Sequence, residues 1–245
     1  MSFVQGNNAG AGQSSSGGTP NTYSLAFTTQ NCAAGNMLVF CARMNASTTV
    51  TGISDDEGNT WQVVGPIAND IDLYFGYALN IVGGTKASVK VTFSGTGAIG
   101  GISPCIAEYS GVNTFRASDA GNTGTGDNST SAAVTAAAGD LLIGYMADVG
   151  GQSGFAAGTI GAGAGNLQES SGVGGNIYAA LADGTASAGS NTAGFTSAVS
   201  TAWAAGVSAF YELVAASGGG GVQGFRNFVN KKAAFSHARP GRSGR

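Results

Sequence analysis

"AAGNMLVFCA", Ala33 to Ala42, returns as "AAGDLLIGYM", Ala137 to Met146, 104 residues further along the chain. Each copy joins an Ala-Ala-Gly-Asn/Asp turn to a short apolar run, Met37 to Phe40 in one and Leu141 to Ile143 in the other. Runs of that length bounded by turn residues read as central strands buried on both faces. The same displacement lays "LYFGYA" (73–78) on "IYAALA" (177–182), and a slip of two residues lays "CIAEYSG" (105–111) on "VSAFYEL" (207–213). Similarity at a fixed spacing marks a duplicated unit. The chain therefore reads as two related halves, 21–112 and 125–216, with four or five strands each. Halves of that size are expected to share one core.

Around these runs the pattern is period two. In "TYSLAFTT" Tyr23, Leu25 and Phe27 alternate with small or polar residues; in "IDLYFGYALN" Ile71, Leu73, Phe75, Tyr77 and Leu79 share a face; in "SVKVTFSG" Val89, Val91 and Phe93 oppose Lys90, Thr92 and Ser94. Such alternation describes half-buried antiparallel strands, and no amphipathic helix is legible before residue 220. The expected fold is all-β, an antiparallel, jelly-roll-like β-sandwich built from the two halves. A flexible N-terminal arm (1–20) precedes the sandwich (21–217), and a Gly linker with a basic tail (218–245) follows it.

Composition narrows the function classes. With 43 glycines, 4 prolines and only 9% charged residues, the exterior must be hydroxyls, amides and backbone, yet 42% apolar residues can fill a core. Neither a signal-peptide pattern nor an apolar run of membrane-spanning length occurs, which favours synthesis in a cytosol. Cys32, Cys41 and Cys105 lack metal or redox spacing and read as buried free thiols. The single histidine, His237, lies in the tail, so neither a catalytic triad nor a His-ligated metal is expected. "GTGAIG" (95–100) matches a dinucleotide fingerprint in letters only, because a Pro104-containing strand rather than a helix follows it. No cofactor and no catalytic residue are expected.

"ISDDEGNTWQVV" (53–64) sets Asp55, Asp56 and Glu57 in a row, a weak calcium candidate. Calcium loops place their acids at alternating positions, whereas Gly58 and Asn59 after consecutive acids read as a turn between strands. Tyr74, Tyr109, Tyr178 and Trp203 are the aromatic candidates for contact with a glycan, the alternative being that they fill the core or its edge.

"SDDEGNTWQVV", "YALNIVGG", "VTFSG", "IAEYSGV" and "AAGDLLIG" together resemble the recurrent pattern of a class of Gly-, Ala- and Thr-rich β-sandwich domains. Such domains occur in tailed-phage structural proteins and bacterial surface proteins. The resemblance spans roughly Phe3 to Val214, implies a jelly-roll-like or lectin-like sandwich with a structural or adhesive role, and brings no catalytic residue with it. The missing leader favours a virion component assembled in a host cytoplasm over an extracellular or cell-surface adhesin. The basic tail is no part of the resemblance.

That tail follows "GGGG" (218–221). Arg226, Lys231, Lys232, Arg239, Arg242 and Arg245 give it six positive charges and no acid, while the rest of the chain holds 4 basic and all 13 acidic residues. Phe225, Phe228 and Phe235 are interleaved with the charges. Apolar anchors steered by charge suit an acidic protein surface better than nucleic acid, which needs charge alone. Phe225, Arg226, Phe228, Lys231, Lys232, Phe235, Arg239 and Arg242 are thus expected to dock on a second copy or on other proteins of a virion or surface assembly, with no membrane involved. The function expected is a non-enzymatic virion structural protein, a head-decorating or fibre-type subunit. The alternative is a carbohydrate-binding adhesin or receptor-binding module.

Overall fold

A computed structural model of the chain describes residues 1–8, 21–45, 49–85, 88–93, 102–152, 155–173 and 176–213. These residues are all-β, and their strands pair antiparallel. The first half contains β1 (Ser2–Asn8), β2 (Asn21–Ala26), β3 (Met37–Asn45), β4 (Val50–Asp55), β5 (Trp61–Ala68), β6 (Ile71–Ala78), β7 (Ser88–Phe93) and β8 (Ser103–Ser110). The second contains β9 (Thr114–Ser118), β10 (Asn122–Thr130), β11 (Val134–Ala136), β12 (Leu141–Gln152), β13 (Ala156–Ile160), β14 (Gly163–Ala164), β15 (Asn166–Val173), β16 (Asn176–Thr185), β17 (Gly189–Asn191) and β18 (Ala193–Tyr211).

Pairing shows the duplication directly. The first half forms a sheet in the order β1-β8-β3-β6-β5 and a smaller one in the order β2-β7-β4. In the second half β18-β12-β16-β15 repeats the order β8-β3-β6-β5, and β9 and the start of β10 flank β18 as β1 flanks β8. The end of β10, the start of β18 and β13 then repeat β2-β7-β4. Ile53 faces Val91, and 104 residues on Ala157 faces Phe195. One long strand, β18, does the work of both β7 and β8, changing layers across the largely exposed stretch Thr196–Ser200.

The repeated turn is the same object twice. Gly35 and Gly139 hold φ of 84° and 88°, a region open to glycine without strain. Their amides donate to the Ile81 and Ala186 carbonyls at 2.9 and 3.0 Å, and the amides of Ile81 and Ala186 donate back to Asn36 and Asp140. The turn thereby pins the start of β3 or β12 to the segment that follows β6 or β16.

Three cores result, not the single shared one expected from the sequence. Odd-numbered residues of β3 (Met37, Val39, Cys41) and β6 (Leu73, Phe75, Tyr77) meet Leu141, Ile143 and Tyr145 of β12 and Leu181 of β16, so the two large sheets pack face to face. Their even-numbered neighbours point outward, Leu38, Phe40 and Tyr74 beneath β2 and β4, and Leu142, Met146 and Ala180 beneath β13 and the start of β18. Each half is thus a sandwich with its own core, and the halves share the third. Inner strands buried on both faces lose the period-two pattern, as in β6, where every residue is buried. The thiols of Cys41 and Cys105, opposite each other in register, lie in the shared core as free cysteines.

Two expected boundaries are corrected. Residues 2–8 of the expected flexible arm form β1, paired with β8, and 114–118 and 122–124 of the expected junction between halves form β9 and the start of β10. The repeated unit therefore begins before Asn21 and before Thr125. Phe75 stacks on Tyr145 at 4.3 Å between ring centroids and touches Tyr77 and Phe210. Phe75→Ala is expected to destabilise the chain by about 3–5 kcal/mol in urea unfolding, against well under 1 for exposed Val63→Ala.

Candidate functional site

The acidic stretch Asp55–Glu57 is a turn. The Asp55 carboxylate accepts from the backbone amides of Glu57 and Asn59 at 3.1 and 2.9 Å, from Asn59 Nδ2 at 2.9 Å and from the Trp61 indole at 2.9 Å. Asn59 Oδ1 then accepts from the Val82 amide, tying the turn to the loop after β6. Four donors surround Asp55 where a calcium ion would need acceptors. Among the described residues no group of three or more His, Cys, Asp or Glu side chains converges. Asp55→Ala is expected to lower stability by roughly 1–3 kcal/mol, and millimolar calcium to leave the melting temperature of the unaltered chain unchanged.

The aromatic candidates do not form a sugar platform. Tyr74, Tyr109 and Trp203 are buried, as period-two packing in doubly covered strands requires. Tyr178 is half-buried, and the Arg43 guanidinium covers its ring at 5.4 Å. Tyr74, Tyr109 and Trp203 belong to three different cores, and Tyr178 to none of them.

Interior carboxylates hold strands together. Glu108, fully buried on β8, accepts from Gln5 Nε2 at 2.5 Å, Asn36 Nδ2 at 2.7 Å and the Ala33 amide at 2.8 Å. It joins β1 to the turn before β3. In the second half Asp140 accepts from the Ala137 amide at 2.8 Å and pairs with Arg116 of β9, whose guanidinium also covers Tyr211 at 4.4 Å. Asp119 accepts from the Val207 amide at 3.1 Å through one oxygen, while the other is enclosed without a partner. Burial pushes its pKa up to about 6 from 3.8. The folded state holds that proton more tightly than the unfolded one, so the stabilisation is full below about pH 3.8 and is lost as pH rises through 6. Asp119→Asn is expected to abolish that part of the fall in melting temperature between pH 4 and 6.5.

One polar cleft is not accounted for by strand tethering. About 450 Å³ in volume, it lies between the first residues of β1 (Ser2, Phe3), the short strand β14 with its preceding turn, and the ends of β15 and β16. Asp183 of β16, 6% exposed, accepts from Asn166 Nδ2 at 3.0 Å and Gln168 Nε2 at 2.6 Å. Beside it lies the enclosed Tyr109 hydroxyl, which interacts with the Asp183 carboxylate. Burial raises the Tyr109 pKa well above its ordinary value, and the Asp183 charge raises it further. Phe3 packs edge-on against the Tyr109 ring at 5.8 Å.

The duplication supplies a comparison for this cleft. Val39 faces Tyr77 as Ile143 faces Asp183; Met37 faces Tyr109 as Leu141 faces Phe210; Phe3 faces Tyr109 as Phe115 faces Phe210. Strand register thus corrects the match read from the sequence, from a displacement of 104 to 106 residues for β6 on β16 and from 102 to 101 for β8 on β18, and the twin of Phe3, Tyr109 and Asp183 is Phe115, Phe210 and Tyr77. Those three rings pack on one another at 4.9, 5.2 and 5.6 Å. Where one half closes with a third aromatic ring, the other has a carboxylate, two amides and an opening. None of Asn166, Gln168 and Asp183 stood out in the sequence, because only strand register places them beside Tyr109.

Comparison with protein-family models, with curated proteins and with solved structures finds no match for the chain. The expected docking residues Phe225, Arg226, Phe228, Lys231, Lys232, Phe235, Arg239 and Arg242 lie outside the described residues, as does the loop 95–100.

Proposed function

We propose that the chain is a non-enzymatic structural subunit of a tailed-phage virion, a head-decorating or fibre-type module held to neighbouring subunits by its basic, phenylalanine-bearing tail. The observation that supports this reading is the segment 111–113, which holds the residue from which the tail continues. Asn113 brackets Leu213, accepting its amide at 2.7 Å and donating to its carbonyl at 3.1 Å, and Gly111 lies against both Met1 and Glu212. The last described residue of the body thereby sits close to its first.

Edge chemistry points the same way. β5 carries Pro66 and a register shift between Val64 and Ile67, β15 carries two shifts, and β1 one between Phe3 and Gln5. Bulged edges are poor templates for sheet continuation, so assembly through added strands is disfavoured and a separate anchor is needed. Five of the thirteen acidic residues, Asp72, Glu108, Asp140, Asp148 and Asp183, are buried, so the body is less negative outside than its sequence implies. The phenylalanines of the tail then supply most of the affinity, and the charges the steering.

Light-scattering chromatography of the full chain and of a chain ending at Ser217 tests this. The full chain is expected to form a defined oligomer and the shorter one a monomer with the same melting temperature; the same monomer mass for both overturns the self-docking reading. A second reading, a carbohydrate-binding module, is supported by the polar cleft at Asp183.

A further inference from the structure

We infer that the cleft bordered by Asp183, Asn166, Gln168, Thr185 and Phe3 binds a neutral polyhydroxylated ligand, a terminal saccharide unit of a glycan. The inference rests on the second reading above and is independent of the tail.

Its first support is the broken symmetry. A third aromatic ring at the Asp183 position is compatible with this fold, because Tyr77 occupies the twin position and closes it with Phe115 and Phe210. Replacing that ring by a carboxylate at 6% exposure forgoes the ring packing and buries a charge, which is unfavourable unless the group is used. Asn166 and Gln168 satisfy it in part. Tyr109, 0% exposed, stands behind it with its hydroxyl beside the Asp183 carboxylate.

The second support is the chemistry of the lining. Both Asp183 oxygens already accept from amide N–H groups, which places hydrogens rather than oxygen ligands around the carboxylate and disfavours a cation. The carboxylate equally disfavours an anionic ligand. What remains is an uncharged molecule rich in hydroxyls, which can donate to a carboxylate and exchange hydrogen bonds with the Ser2 and Thr185 hydroxyls and the amide side chains. Ala162, Gly163, Ala164 and Gly184 keep the walls low, so that a ring can approach the backbone. Phe3, partly exposed beside these groups, offers an apolar patch of the kind on which the C–H face of a sugar packs. A volume of about 450 Å³ lies within the range of about 300–1,000 Å³ usual for small-molecule sites.

The full-length chain is tested on an array of neutral oligosaccharides ending in glucose, galactose, mannose or N-acetylglucosamine, with sialylated counterparts alongside, and affinity for the best neutral glycan is then measured by titration calorimetry. Three variants are compared. Asp183→Tyr copies the twin half and closes the cleft; Thr185→Trp plugs it from an exposed position; Val199→Ser alters an exposed residue outside it. The expected result is binding to a neutral glycan, weakened at least tenfold by Asp183→Tyr and by Thr185→Trp and unchanged by Val199→Ser, with melting temperatures close to that of the unaltered chain. Should Asp183→Tyr fail to fold, Thr185→Trp decides. Neutral-glycan binding that survives both cleft variants overturns the site and leaves the carbohydrate-binding reading standing. Binding of sialylated glycans alone overturns the neutral-ligand inference, and no binding to any glycan overturns the site and that reading together. The oligomer mass is read separately, so none of these outcomes bears on assembly through the tail.

Discussion

The structure depends on the contact between the two large sheets. Neither could exist alone in water: β6 and most of β3, β8 and β12 are buried on both faces, and an inner sheet of that kind must be covered twice. Within each half the smaller sheet covers one face. The other half covers the second. Phe75 on Tyr145 and the thiols of Cys41 and Cys105 against the carbonyls of Ala180 and Ala179 mark the seam, and Arg43 crosses it to the Asp148 carbonyl at 3.0 Å.

A duplicated unit bound to its own copy allows one member of a twin pair to diverge while the other preserves the fold. The pair Tyr77 and Asp183 is such a case. So is the capping of the repeated turn: the Ala33 amide is held by Glu108 of β8, and its twin Ala137 by Asp140 of the turn itself, with Arg116 added from β9. The first exchange opens a cleft, whereas the second keeps the turn closed by different means. The opening left by the first exchange is lined by a carboxylate and two side-chain amides.

Much of the fold was legible in residue order because its signals are local. The turn before β3 and β12 needs Gly at positive φ followed by Asn or Asp, and strands covered twice announce themselves as apolar runs. β1 and β10 were missed for the same reason. "SFVQGNN" contributes to the interior chiefly through Gln5, whose amide joins Glu108 to the Gln30 backbone, and "NTGTGDNST" contains no apolar residue at all. Their strand character comes from the neighbours they pair with. Asp183 sits in "LADGT", which in isolation is an Asp-Gly turn signal. Only the register of β12 against β16 shows that it stands where a tyrosine stands in the other half.

Calorimetric unfolding of the full chain tests the central claim most directly, because halves that need each other's cover must lose structure together. One transition is expected, with the van't Hoff enthalpy equal to the calorimetric enthalpy. Two resolved transitions, each with about half of the total enthalpy, would show that each half is stable without the seam and would contradict the account.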